Sequence, residues 1–254
     1  MTKTELDVVG RECLSFTATG SWGHFRRIDS TTDKLTYRVI PRTTVAGLLA
    51  AVLGEPRDSY YETFAADASA VAISPVSQLE TMPVPILTLP TEEGDIKTAE
   101  GVSGKTVVDP EVIATERKRR TFEYVVDPAY RIDLVLNDTE RFNKLIEYLS
   151  TGKSTYTPSL GKTECLAHFE DVSVSSIEPA SNVDAIDSIV PEQYVVPAPG
   201  QPLRMERTPA YMTADEGGRH TTGFLSYAYA PGNEQVAVSD APAVSVEGRR
   251  VCFV

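Results

Sequence analysis

The stretch from Gly20 to Gly54 gathers side chains suited to gripping a nucleic acid. Trp22, His24 and Phe25 offer flat faces on which bases could stack, and Arg26 and Arg27 beside them could reach phosphates. An alternative puts Trp22 and Phe25 in the core. Further on, Arg42 precedes Thr43 and Thr44, either of which can cap a helix. The exposed backbone N–H groups of such a helix start would seat a phosphate, with Arg42 as its clamp. An ordinary capped helix that binds nothing is the plainer option. From Trp22 to Thr44, five basic residues (Arg26, Arg27, Lys34, Arg38, Arg42) face two acids (Asp29, Asp33). This local excess of positive charge stands in a chain whose net charge is −12.

A second basic run, Arg117-Lys118-Arg119-Arg120, suits a nucleic-acid backbone or an acidic neighbour, and as a bare charge run also suits a solvated face. Gly161, between Leu160 and Lys162, would let a backbone approach a nucleotide closely or simply make a tight turn. Acid–base chemistry on an RNA 2′-hydroxyl would fall to Tyr37 and His24, because His168 and His220 lie far away in sequence and no pair converges. The chain has no phosphate-binding P-loop, no H-E-x-x-H and no G-x-S-x-G. Cys13, Cys165 and Cys252 lack any metal-binding spacing, so neither a cofactor nor a metal is expected.

The acidic balance argues at first against nucleic acid. Yet Asp and Glu are dispersed along the chain and Arg outnumbers Lys, a pattern that suggests a halophile. In molar salt the Debye length is about 3 Å, so repulsion from a dispersed acidic surface is screened while direct contacts survive. No apolar run is long enough to span a membrane and the start lacks a signal-peptide core, so a cytoplasmic protein without membrane association is expected.

Several elements must position these groups. Residues 12–19 alternate as a strand, with Leu14, Phe16 and Ala18 on one face, and a long loop covers 20–40. Val45, Leu48, Leu49, Val52 and Leu53 follow helical spacing up to Gly54, and a short amphipathic piece is expected at 60–64. Strands are expected at 70–74, 130–136 and 165–174, with a helix after Asn137-Asp138-Thr139 that carries Phe142, Leu145, Ile146 and Leu149. The order β-α-β-β-α-β predicts an α+β, ferredoxin-like (RRM-like) domain over residues 1–175. Residues 82–120 form an excursion read as a protruding hairpin. Residues 176–254 are expected to be a small β-rich appendage that ends in a hairpin around Glu247-Gly248.

The blocks Gly20-Ser21-Trp22-Gly23-His24-Phe25-Arg26-Arg27 and Thr36 to Gly54 resemble the N-terminal motif of the CRISPR-associated Cas-five family. Asp127-Pro128-Ala129-Tyr130-Arg131-Ile132 and Tyr156 to Cys165 are similar to later blocks of that family. The resemblance implies a non-catalytic subunit of a type I interference complex (Cascade) that caps the 5′ handle of the guide RNA (crRNA), with the excursion folded over the guide as a thumb. It implies the backbone subunit and the large subunit as partners rather than a second copy of this chain, and the acidic, halophile-like composition suggests an archaeal type I-B system. Some relatives cut precursor RNA without metal, which keeps a metal-independent endoribonuclease as the alternative.

Overall fold

A computed structural model describes residues 6–27, 33–88, 99–100, 106–107, 117–216, 218–232 and 234–254. The alternation of Leu14, Phe16 and Ala18 builds β1 (Glu12–Thr19), whose apolar face is fully buried. Helix α1 (Arg42–Leu53) turns Val45, Leu48, Leu49 and Val52 onto that face and stops at Gly54, whose left-handed φ of 83° suits glycine. Next come β2 (Ser69–Pro75), then β3 (Glu80–Thr88), β4 (Lys118–Val126) and β5 (Ala129–Leu136). Helix α2 (Thr139–Ser150) is capped by Asp138, whose side chain accepts from the Arg141 amide, and β6 (His168–Ser176) follows. The long strands β7 (Arg204–Asp215) and β8 (Gly218–Tyr229) form one hairpin, and β9 (Ala243–Val246) and β10 (Arg249–Cys252) another.

The main sheet is antiparallel with the order β6-β1-β5-β2. One face receives α1 and α2 through Phe142, Leu145 and Leu149. The opposite face is covered as well, since Cys13, Ala70, Ala72 and Val135 pack against Val244, Val246, Val251 and Phe253. At the centre of that contact Arg249 donates twice to Asp133, at 2.9 and 2.6 Å, and Asp133, which has no exposed surface, also accepts from Ser15 at 2.6 Å. A paired and hydrogen-bonded carboxylate is the one form in which such a charge is tolerated inside. The sheet face opposite the helices is therefore closed by the protein's own hairpin.

Several local expectations need correction. Neither Thr43 nor Thr44 caps α1. Pro41 is the N-cap residue, with φ −64° and ψ 147°, and no side chain caps it. Its carbonyl accepts instead from the Thr44 and Val45 amides at 2.8 and 3.0 Å. Residues 61–64 form turns rather than a helical piece. The last strand of the main sheet starts at His168 and not Cys165, because 159–167 are tied into a turn by Leu160 N to Cys165 O (2.7 Å) and Ala167 N to Pro158 O (3.0 Å). The region after 176 does hold the hairpin around Glu247-Gly248, but its other strands reach far into the molecule. Ile189, Ala210, Leu225, Tyr227 and Tyr229 belong to the same core as α1 and β1.

β3 and β4 pair from Glu80↔Val126 to Thr88↔Lys118, so the excursion begins as a regular hairpin. Its intervening residues 89–98, 101–105 and 108–116 lie outside the described residues. Pro83 and Pro85 stand two apart on β3, facing Glu123 and Thr121. Having no N–H, they turn that side outward and leave the free edge short of donors, which discourages strand addition. No helix among the described residues is long and apolar enough to cross a membrane.

Arg249→Ala leaves Asp133 buried with little more than the Ser15 hydroxyl to face. We expect a loss of about 3 kcal/mol in denaturant unfolding, and wild-type stability would contradict the pinning role of this pair.

Candidate nucleic-acid interface

The loop after β1 is laid onto the base of the β3–β4 hairpin by backbone pairing. Trp22 and Gly23 pair with Val126 and Val125, and Phe25 and Arg26 pair with Tyr37 and Thr36. Lys34 bridges to Phe122: its amide donates to Thr121 O and its carbonyl accepts from Glu123 N, both at 2.9 Å. Glu123 joins both arms of the loop. Its carbonyl accepts from His24 Nδ1 at 2.7 Å, and its carboxylate accepts from the Thr36 amide at 3.1 Å and the Thr81 hydroxyl at 2.9 Å. The carbonyl acceptor places the His24 proton on Nδ1.

Regular pairing puts Arg120, Phe122 and Tyr124 on one face of β4. Lys162 reaches that face from the loop before β6, with its ammonium 4.2 Å from the Phe122 ring centre and 5.3 Å from that of Tyr124. It is held by Glu164 at 2.5 Å and by the Tyr124 hydroxyl at 2.9 Å. Partial burial alone would lower the Lys162 ammonium, but these two bonds outweigh it and keep it above the ordinary lysine range. Lys34 moves the other way. Loss of hydration and the positive charges of Arg26 and Arg120 hold its ammonium below that range. Lys34 thus lies within reach of the charges of Arg26 and Arg120, a positive patch beside the half-buried Phe122 ring, while Tyr124 is buried beneath.

The residues singled out from sequence divide into three groups. Arg26 is exposed, Arg27 lies 5.7 Å over the Tyr37 ring, and Trp22 is half-buried with its edge toward Tyr124 at 5.9 Å, so these three border the patch. Arg117, Lys118 and Arg119 are exposed at the outer end of β4, farther along the hairpin. The third group is structural. Phe25, Tyr37 and His24 are buried, and burial lowers the His24 pKa, which keeps the ring neutral. Thr43 and Thr44 are half-buried inside the first turn of α1.

Arg42 does not clamp a phosphate. The residue is 4% exposed, and its guanidinium donates to the carbonyls of Val254 (3.0 Å), Phe64 (2.7 Å) and Ser69 (3.1 Å) and to the Ser69 hydroxyl (2.7 Å). The Tyr211 ring lies 4.2 Å from it. Burial lowers its pKa only to about 10, so the charge persists at neutral pH. A planar fork with four acceptors in place joins α1 to β2 and to the chain end at Val254.

Gly161 is likewise spoken for. At φ 95°, a Cβ there would stand 2.0 Å from the His24 carbonyl, so the close approach it permits is to the loop after β1. Of the residues gathered here, the sequence points to Arg120 through its basic run, but not to Phe122, Tyr124, Glu123 or Lys162. The alternation Lys118, Arg120, Phe122, Tyr124 is a period-two signal that could have found the face. Lys162 needed the fold, because only the turn at 159–167 carries it there.

Gly161→Ala should push the His24 segment off the hairpin. A loss of about 2–4 kcal/mol is expected, together with faster exchange of the Lys34 amide, and a variant as stable as wild type would contradict this packing.

Residues 13–219 match the family model described as CRISPR-associated protein (Cas_Cas5). A comparison with curated proteins finds no match. Among solved structures, the chain is similar to a CRISPR protein from Archaeoglobus fulgidus at 13% identity and a TM-score of 0.53, covering 95% of this chain and 98% of that one. It is also similar to a chain of a CRISPR RNA-guided surveillance complex at 11% identity and a TM-score of 0.49, covering 89% and 91%. The Archaeoglobus likeness shows a shared fold, and the family match spans both the loop and the hairpin face. This chain therefore belongs to the CRISPR-associated protein (Cas_Cas5) family.

Proposed function

We propose that the protein is a non-catalytic guide-RNA-binding subunit of a type I CRISPR interference complex, and that it holds the 5′ handle of the guide on the patch formed by the loop and the β3–β4 hairpin. The observation that carries this reading is that Lys34, bridged to Phe122, lies within reach of the charges of Arg26 and Arg120 while Lys162 stands over the Phe122 ring, in a chain of net charge −12. Cations for phosphates beside aromatic rings for bases are the two parts of a single-strand binding surface. The hairpin serves as the thumb, and its exposed Arg117, Lys118 and Arg119 continue the positive track outward. A ferredoxin-like core is supported by the order β6-β1-β5-β2 and by helices that both follow a strand of that sheet. The backbone and large subunits of the complex are the protein partners this reading assigns.

The metal-independent nuclease reading has weaker support. His24 and Tyr37, the two residues suited to it, are buried, and His24 Nδ1 is engaged by the Glu123 carbonyl. Neither side chain faces the patch as an accessible acid or base.

The dispersed acidic surface still suits a salt-rich host, and the binding test is therefore run at low and molar KCl. With RNA transcribed from the host's own repeat, Lys34→Glu, Arg120→Glu and Lys162→Glu should each weaken binding at low salt by about tenfold or more, equivalent to ~1.4 kcal/mol. Lys153→Glu, at the exposed end of α2, should bind as wild type. Molar KCl should shrink the effect of the charge reversals while Trp22→Ala keeps its loss, since stacking is not screened. Wild-type affinity in all three reversal variants would refute the assignment.

A further inference from the structure

The return arm of the recognition loop is held by a second carboxylate, on a strand distant in sequence. Glu206 of β7 has its side chain 7% exposed. Its carboxylate accepts from the Arg38 amide at 3.0 and 3.2 Å, from the Val39 amide at 3.3 Å and from the Tyr227 hydroxyl at 3.2 Å. The Arg38 guanidinium stands 3.9 Å away, and the Arg38 carbonyl accepts from the Tyr130 hydroxyl of β5. Two successive amides on one carboxylate form an anion nest filled from within the protein. Arg38 and Val39 lie between Lys34, which sits in the patch, and Pro41, which starts α1. Any slack there passes directly to Lys34 and Thr36.

We infer that Glu206 is a positioning residue that locks the 34–39 arm in its RNA-competent form and so couples the β7–β8 hairpin to guide binding. This rests on the guide-RNA reading above. The groups that face the carboxylate are Arg38 from the loop, Tyr130 from β5, and Tyr227 and Tyr229 from β8. Burial raises the Glu206 pKa against the opposing effect of the amide bonds. A folded-state pKa raised in this way contributes stability that is fully present below the ordinary glutamate pKa and is lost as the pH rises through the folded-state value. The charge that best holds the two amides thus works against stability, which lets an effect on RNA binding be separated from an effect on melting.

The test uses the full chain labelled with 15N-arginine and 15N-valine, and the repeat-derived RNA as probe. In wild type the Arg38 and Val39 amide resonances should titrate together, with a midpoint above the ordinary glutamate range, and Glu206→Gln should abolish that step. Glu206→Gln should melt at or above the wild-type temperature yet bind RNA more weakly. In Glu206→Ala, if the freed arm is competent in about a tenth of molecules, the apparent Kd rises about tenfold, and Glu206→Gln should fall between the two. Amides that do not titrate in wild type overturn the inference, even if no variant folds. So does unchanged affinity once the lock is broken, or a Gln variant that loses stability and affinity together. If wild type binds no repeat RNA, the guide-RNA reading fails, while the amide titration still reports on the lock.

Discussion

Glu123 is the residue through which the loop and the β3–β4 hairpin form one surface. Its amide, carbonyl and carboxylate bond Lys34, His24, Thr36 and Thr81 at once, and these partners come from both arms of a loop and from a neighbouring strand. Backbone in a long loop needs partners for its polar groups, and here β4 supplies them. Once the loop lies on β4, Lys34 stands beside Phe122 and Arg26 beside Lys34. Gly161 then matters because the turn before β6 must pass against the His24 carbonyl to deliver Lys162. The positive patch follows from this packing and could not be assembled by any one of its segments alone.

The architecture also explains why the proposed binding surface falls on the loop and hairpin rather than on the sheet. The main sheet is covered on one side by α1 and α2 and on the other by β9 and β10, the second cover being pinned by Asp133 and Arg249. A sheet filled on both faces serves as a rigid frame. Arg42 strengthens that frame from the other end, fastening the start of α1 to Phe64, Ser69 and Val254. The same arginine looked like a phosphate clamp in the sequence because its neighbours were right for one. The decisive facts, four acceptors brought together from distant positions, are tertiary.

Much of the frame was readable from local pattern. The strands at 12–19 and 129–136 and both helices announce themselves through periodicity and stop signals, and Asp138 caps α2 as its residue type suggests. The site was legible only as a region. Trp22, Arg26 and Arg27 border the patch, but Phe25, His24 and Tyr37 went inward, because aromatic residues in a loop serve a core as readily as a ligand. The face made by Arg120, Phe122 and Tyr124 lies in a segment whose charge run masks the alternation of its side chains. Lys162 and Glu206 depend on chain crossings that no short-range spacing encodes.

The most direct measurement is photo-crosslinking of the full protein to its own repeat-derived RNA, with the linked peptides read by mass spectrometry. The account predicts links to the segments that hold Trp22, Phe122 and Lys162. Links concentrated instead on β9 and β10, the hairpin that closes the sheet, would contradict it.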